Sequence, residues 1–234
     1  MDTARTPLLL LPGLLCDAAL YRGQIAGLAD IAAPIVGDLT RHDSIAGMAA
    51  AMLAETPDYF SLLGLSMGGY VAQEIMRQAP HRVIRLALLD TSARADSDEQ
   101  RAHRHGLIEL AGKGHFKGVT PRLLPQLVSR RRLADRDVVD TVTGMAERVG
   151  HDAFVRQQTA IMNRPDGHAD LGRIACPTLV LCGREDALTP VALHEEMAAA
   201  IHGAALVVVE ECGHLSTLER PEAVNPALRE WLAR

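Results

Sequence analysis

The stretch GLSMGG (Gly64–Gly69) stands directly after the apolar run YFSLL (Tyr59–Leu63) and directly before a segment of helical pattern. It places Gly64 and Gly68 two positions either side of Ser66. A tight strand-to-helix junction forces its central residue into strained backbone angles and brings helix close to strand. Glycines at these flanks remove the Cβ atoms that would collide. One reading is a packing turn that needs small residues. The other is a turn that holds the Ser66 hydroxyl clear of the strand end, at a helix N-terminus whose amides point toward it.

The pattern on either side favours a strand–turn–helix. Residues 67–79 carry Val71 with Ile75 and Ala72 with Met76 at i,i+4, and Pro80 stops the helix. Further out, apolar runs predict strands over 7–11, 33–39, 59–65, 83–89, 178–182 and 205–209. Helical patterns fall over 18–28, 44–55, 191–201 and 221–232. This alternation predicts an α/β fold with a mostly parallel sheet covered by helices on both faces. Residues 92–172 break the rhythm with helical stretches at 98–111, 137–148 and 152–162 and no strand. The organisation expected is a core of residues 1–91 and 173–234 with a helical lid, 92–172, inserted over the strands' C-terminal ends.

A serine hydroxyl is a poor nucleophile near neutral pH and needs a base, which in turn needs an orienting partner. Candidates lie after the later strands: GRED (Gly183–Asp186) and ECGHLS (Glu211–Ser216). They offer Asp186 and His214, in the chain order Ser66, Asp186, His214. Asp90, after the fourth strand, and Glu185 are rivals for the acid.

The segments LLLLPGLL, VGDL, LLGLSMGGYVAQEI, RVIRLALLDTS, CPTLVLCGREDALTP and VVVEECGHLSTLERPEAV together resemble a serine α/β-hydrolase of the lidded single-domain kind. The likeness runs over essentially the whole chain. It implies Ser66 as nucleophile, His214 as base and Asp186 as its acid partner. It also implies an oxyanion hole from the backbone N–H groups of Met67 and Leu14. The chain departs from the family in two places. Pro12-Gly13 stands where His-Gly is usual. The strand at 7–11, usually third, has six residues before it, so the sheet is expected to lack the first two strands and hold about six.

The activity implied is hydrolysis of a carboxylic ester or related acyl substrate through an acyl-enzyme. Relatives that open enol-lactones, cleave carbon–carbon bonds or eliminate acids use the same three residues, so these stay open. Arg156, Gln157 and Arg164 at the end of the lid are candidate substrate contacts, with lid-to-core salt bridges or solvent exposure as the more ordinary reading, and an anionic substrate makes Arg122, Arg156 and Arg164 the candidates. Dehalogenase and epoxide-hydrolase chemistry is disfavoured, because both need a carboxylate where Ser66 stands. A non-catalytic ligand-binding protein on the same scaffold also stays open.

Composition narrows the partners to a small-molecule substrate. The 234 residues carry a net charge of −5, which argues against nucleic acid. The interleaved basic cluster SRRRLADRD (Ser129–Asp137) reads as a solvated helix end. The longest apolar run, PLLLLPGLL, is too short to span a membrane and has no signal-peptide flanks. A cytoplasmic protein with reduced Cys16, Cys176, Cys182 and Cys212 is expected.

No cofactor is expected, because no dinucleotide or P-loop glycine pattern appears. No metal is expected, because Cys182, Asp186, Cys212 and His214 fit no common zinc spacing. His194 and His202 read as surface residues, and the lid histidines His103, His105, His115, His151 and His168 as solvated, with the alternative open that one of them faces substrate. At 3% aromatic content, the pocket is expected to be lined by Leu, Met and Val and to suit a small or medium apolar group. The lid helices leave room for a homodimer.

Overall fold

The computed structural model describes residues 5–234. Six strands form one sheet: β1 (Thr6–Leu11), β2 (Ala32–Val36), β3 (Phe60–Leu65), β4 (Val83–Leu89), β5 (Thr178–Gly183) and β6 (Ala205–Val209). The order is β2-β1-β3-β4-β5-β6, and every neighbouring pair is parallel. The doubly covered parallel sheet expected from the alternating pattern is therefore present.

Successive strand residues point to opposite faces, and both faces are apolar. Leu8, Leu10, Leu63, Leu65, Leu179 and Leu181 pack on one side. That face is covered by a 3-10 turn (Ala18–Tyr21) running into α1 (Arg22–Gly27), and by the chain's last helix, residues Pro221–Leu232. Trp231 of that helix is buried, and its indole N–H donates to the Pro177 carbonyl at 3.3 Å. Leu9, Leu11, Leu62, Leu86, Leu88 and Val180 point the other way. They meet α2 (Ile45–Glu55), α3 (Met67–Gln78) and the helix Val191–Ala200, through Met48 and Met52, Val71 and Ile75, and Met197.

Between β4 and β5 the chain is helical: α4 (Asp98–Leu110), α5 (Leu124–Leu127), α6 (Arg136–Met162) and α7 (His168–Leu171). A capping box starts α4, with the Ser97 hydroxyl accepting from the Gln100 amide and the Gln100 side chain accepting from the Ser97 amide. A π-helical turn at Ala111–His115 ends it, with Gly114 at φ 80°. Gly150, at φ 77°, breaks α6, between the two stretches the pattern separates at 148 and 152. After β5 come α8 (Val191–Ala200), then α9 (Ser216–Glu219) and α10 (Pro221–Leu232) behind β6. No described helix is long and apolar enough to cross a membrane.

Backbone approaches the glycines of the β3–α3 junction very closely. A Cβ added at Gly68 would lie 1.9 Å from the Leu11 carbonyl oxygen, and one at Gly64 2.2 Å from the Gly68 carbonyl oxygen. Both neighbours are backbone and cannot swing away. Gly106, inside α4, has nothing within 4 Å of such a Cβ. Gly68→Ala is expected to cost about 3 kcal/mol or more. Gly106→Ala should be neutral or stabilising by up to about 1 kcal/mol. Denaturant unfolding of the two variants checks this, and equal midpoints would contradict the packing described.

Candidate active site

Ser66 has φ 54° and ψ −117°, a backbone state that costs a residue with a Cβ on the order of 1–3 kcal/mol. Neighbouring strands hold it there. The Ser66 amide donates to the Leu89 carbonyl at 3.0 Å, and the Thr91 hydroxyl donates to the Ser66 carbonyl at 2.8 Å. The side chain emerges at the start of α3, partly exposed to a cavity of about 1260 Å³.

His214 and Asp186 reach this point from the loops after β6 and β5. His214 Nε2 lies 2.8 Å from Ser66 Oγ, and His214 Nδ1 lies 2.9 and 3.0 Å from the two Asp186 oxygens. A carboxylate only accepts, so Nδ1 carries the proton and Nε2 accepts from the serine hydroxyl. Asp186 is fixed by the Thr189 hydroxyl at 2.7 Å and by the Leu188 and Thr189 amides, each at 2.9 Å. Both His214 and Asp186 are buried. Burial alone would lower the His214 pKa. The charge and hydrogen bond of Asp186 outweigh it, with Asp90 and Glu219 adding, and hold it above the ordinary histidine value. Burial likewise pushes the Asp186 carboxyl up, but His214 and the Thr189 contacts bring it below the usual range.

The rival acids sit elsewhere. Glu185 is exposed. Asp90 is fully buried, accepting from the Gly183 amide at 3.0 Å and from the Ser216 amide and hydroxyl. It thereby ties the β5 loop to the β6 loop beneath the histidine. Burial, then the Asp186 charge, raises its pKa well above the carboxylate range.

Glu219, equally buried, accepts from the Gly213 and Leu215 amides on either side of His214, at 3.0 and 3.3 Å. It also accepts from the Ser129 amide of the helical segment, at 2.7 Å. His194 corrects the sequence reading. It is buried, its Nε2 accepts from the Thr91 amide at 3.0 Å, and burial lowers its pKa to about 4. It packs the base of the serine turn rather than facing solvent.

The loop after β1 closes the site. Gly13 comes so near Ser66 that a Cβ there would stand 3.4 Å from the Ser66 Cβ. Leu15, at φ 58°, donates its amide to Gln157 Oε1 at 3.1 Å, while Gln157 Nε2 donates to the Leu39 carbonyl at 3.1 Å. Gly13, Leu14, Leu15 and Cys16 of this loop all line the cavity with Ser66, and of these the Leu15 amide is engaged by Gln157. Met67 opens α3 directly after the serine.

The candidate substrate contacts divide. Arg164 lines the cavity. Arg156 instead donates to the Thr40 carbonyl at 2.7 Å, Gln157 is spent on the β1 loop, and Arg122 is exposed outside the cavity lining. His103 and His115 are exposed but line the cavity, whereas His105, His151, His168 and His202 do not.

The pocket wall also differs from expectation. Leu107, Leu123, Val119 and Val142 are there, but Tyr70, Phe116 and Phe154 stand in place of methionine. Low aromatic content said nothing about where the few aromatics concentrate. Among the described residues no group of three or more His, Cys, Asp or Glu could hold a metal ion, and all four cysteines are free.

These environments predict opposite titrations for the two buried histidines. In NMR, His214 should titrate with a midpoint above 6.5, and Asp186→Asn should move it down. His194 should titrate near 4. A His214 midpoint at or below 6.5 in the unsubstituted protein would contradict the pairing.

A Mycobacterium tuberculosis protein named non-heme bromoperoxidase BpoC is 31% identical over 191 residues, covering 78% of this chain and 72% of its own. A pimeloyl-acyl-carrier-protein methyl ester esterase of Neisseria meningitidis is 27% identical over 198 residues, 82% of this chain and 76% of its own. A thermophilic esterase from Thermogutta terrifontis, solved with malate bound, aligns with a TM-score of 0.87 at 30% identity. The alignment covers 97% of this chain and 89% of that one. Such neighbours support hydrolase chemistry in general terms. The model of the alpha/beta hydrolase family matches residues 8–227, and the chain belongs to that family.

Proposed function

We propose that the chain is a serine hydrolase that cleaves a small carboxylic ester through an acyl-enzyme. The observation that carries this reading is the unbroken hydrogen-bonded line from Ser66 Oγ through both nitrogens of His214 to Asp186. An esterase among the solved structures and an ester-cleaving enzyme among the curated relatives agree with it.

In this scheme Ser66 Oγ attacks the ester carbonyl carbon as its proton passes to His214 Nε2. The carbonyl oxygen becomes an oxyanion held by the Leu14 and Met67 amides, and one such donor is worth about 10²–10³-fold in rate. Collapse of the adduct expels the alcohol, which takes the proton from His214, and the acyl group stays on Ser66. Water then gives a proton to His214 as its oxygen attacks the acyl carbon. A second collapse releases the carboxylic acid and returns the proton to Ser66. Asp186 keeps the imidazole in the required tautomer and stabilises its cationic form. Residues 92–172 act as the lid that keeps bulk water from the cavity.

The test is a p-nitrophenyl ester series of increasing acyl length. Ser66→Ala should lower kcat/KM by at least about 10³-fold, and Asp186→Asn by about 10³–10⁴-fold. Full hydrolysis by Ser66→Ala would end this reading.

A further inference from the structure

A second polar cluster faces the cavity from the helical segment. Asp96, in the loop before α4, has no side-chain exposure and sits between two guanidinium groups. Arg104 Nε donates to one oxygen and Arg164 Nη1 to the other, each at 2.6 Å. Arg104 Nη1 also donates to Gln158 Oε1 at 2.7 Å, and Arg164 Nε to the Arg94 carbonyl at 3.1 Å. These bonds use Nε and Nη1 of each arginine. Among the described residues neither Nη2 is engaged.

A fastener between α4 and α6 needs one arginine per carboxylate. The second leaves one positive charge that Asp96 does not neutralise, at a cost in desolvation that geometry must offset. Both arginines line the cavity that contains Ser66. Arg94, which also lines the cavity, is paired with Glu196, so the charge beside Asp96 belongs to this two-arginine cluster alone. The Arg164 guanidinium lies 4.2 Å over the Tyr70 ring, and Tyr70 is one helical turn from Ser66, its amide 3.4 Å from the Ser66 carbonyl oxygen.

We propose that Arg104 and Arg164 form a subsite for a carboxylate carried by the substrate away from its scissile ester. The substrate class is then a half-ester of a dicarboxylic acid. This proposal rests on the ester-hydrolase reading for its chemistry, but not for its binding. The unengaged Nη2 of each arginine can donate a charge-assisted hydrogen bond to one carboxylate oxygen, and apolar lining residues such as Leu107 and Phe154 suit a methylene chain. Arg104 is the residue to alter, because Arg164 is almost fully buried while the Arg104 side chain is 21% exposed.

The experiment compares kcat/KM for monomethyl adipate and methyl hexanoate, which differ by a carboxylate in place of a methyl group, followed by pH-stat. The protein should prefer the adipate half-ester, and Arg104→Gln should reduce that preference about tenfold, the loss of one charge-assisted hydrogen bond. Arg104→Lys should restore part of it. A variant that merely loosened α4 from α6 would slow both esters alike, and an unchanged ratio overturns the subsite.

Calorimetry of adipate on Ser66→Ala protein separates this from the parent reading. Adipate binding that Arg104→Gln weakens, with neither ester turned over, supports the subsite and sinks only ester hydrolysis. No adipate binding, or binding indifferent to Arg104→Gln, overturns the subsite. Tighter binding of hexyl phosphate than of adipate overturns the carboxylate assignment.

Discussion

The close approach of backbone at the β3–α3 junction is the constraint on which the rest depends. Gly68 sits against the Leu11 carbonyl and Gly64 against Gly68 itself, with no room for a methyl group at either. That contact draws the N-terminus of α3 onto the end of β1. It forces positive φ on Ser66 and brings the β1 loop, with Gly13, beside the serine. The strain is held by groups from β4 and the loop behind it, the Leu89 carbonyl and the Thr91 hydroxyl. A turn held by three strands at once has little freedom to relax, and it presents one hydroxyl in one direction.

Around that hydroxyl the fold arranges three buried carboxylates about the His214 imidazole, in environments that push them apart. Asp186, with His214 and the Thr189 hydroxyl as partners, is held below the usual range. Asp90, deeper and without a cation in contact, is pushed up by burial and by Asp186. Glu219 is also raised by burial, against the pull of the amides it accepts from. Only Asp186 touches the imidazole. The other two act on it through loops, Asp90 by joining Gly183 to Ser216 and Glu219 by gripping the amides flanking His214. The Glu219 bond to the Ser129 amide extends this hold to the helical segment. The histidine loop and that segment therefore share one carboxylate.

Much of this architecture was legible in the sequence, and the reason is local. Buried parallel strands appear as short apolar runs stopped by Gly or Pro, and helices between them carry their own stop signals, such as Pro80 after α3. Ser66, Asp186 and His214 each lie just beyond a strand, so strand positions already place them near one another. What was not legible depends on partners far along the chain. Gln157 meets Leu15 across 142 positions, and Arg104 meets Gln158 across 54. Periodicity reports which face a residue occupies, not what lies opposite. His194 sits on a helix of weak pattern and is buried because the Thr91 amide needs an acceptor there. The helical stretch expected at 98–111 is present as α4, which runs through Gly106 and is started firmly by its capping box.

The central claim is that the backbone arrangement activates Ser66 through His214. The most direct test is fluorophosphonate labelling followed by peptide mass spectrometry. Modification confined to the peptide containing Ser66, and abolished by His214→Ala, is the result predicted. Labelling at another serine, or labelling of Ser66 that persists undiminished in His214→Ala, would contradict the account.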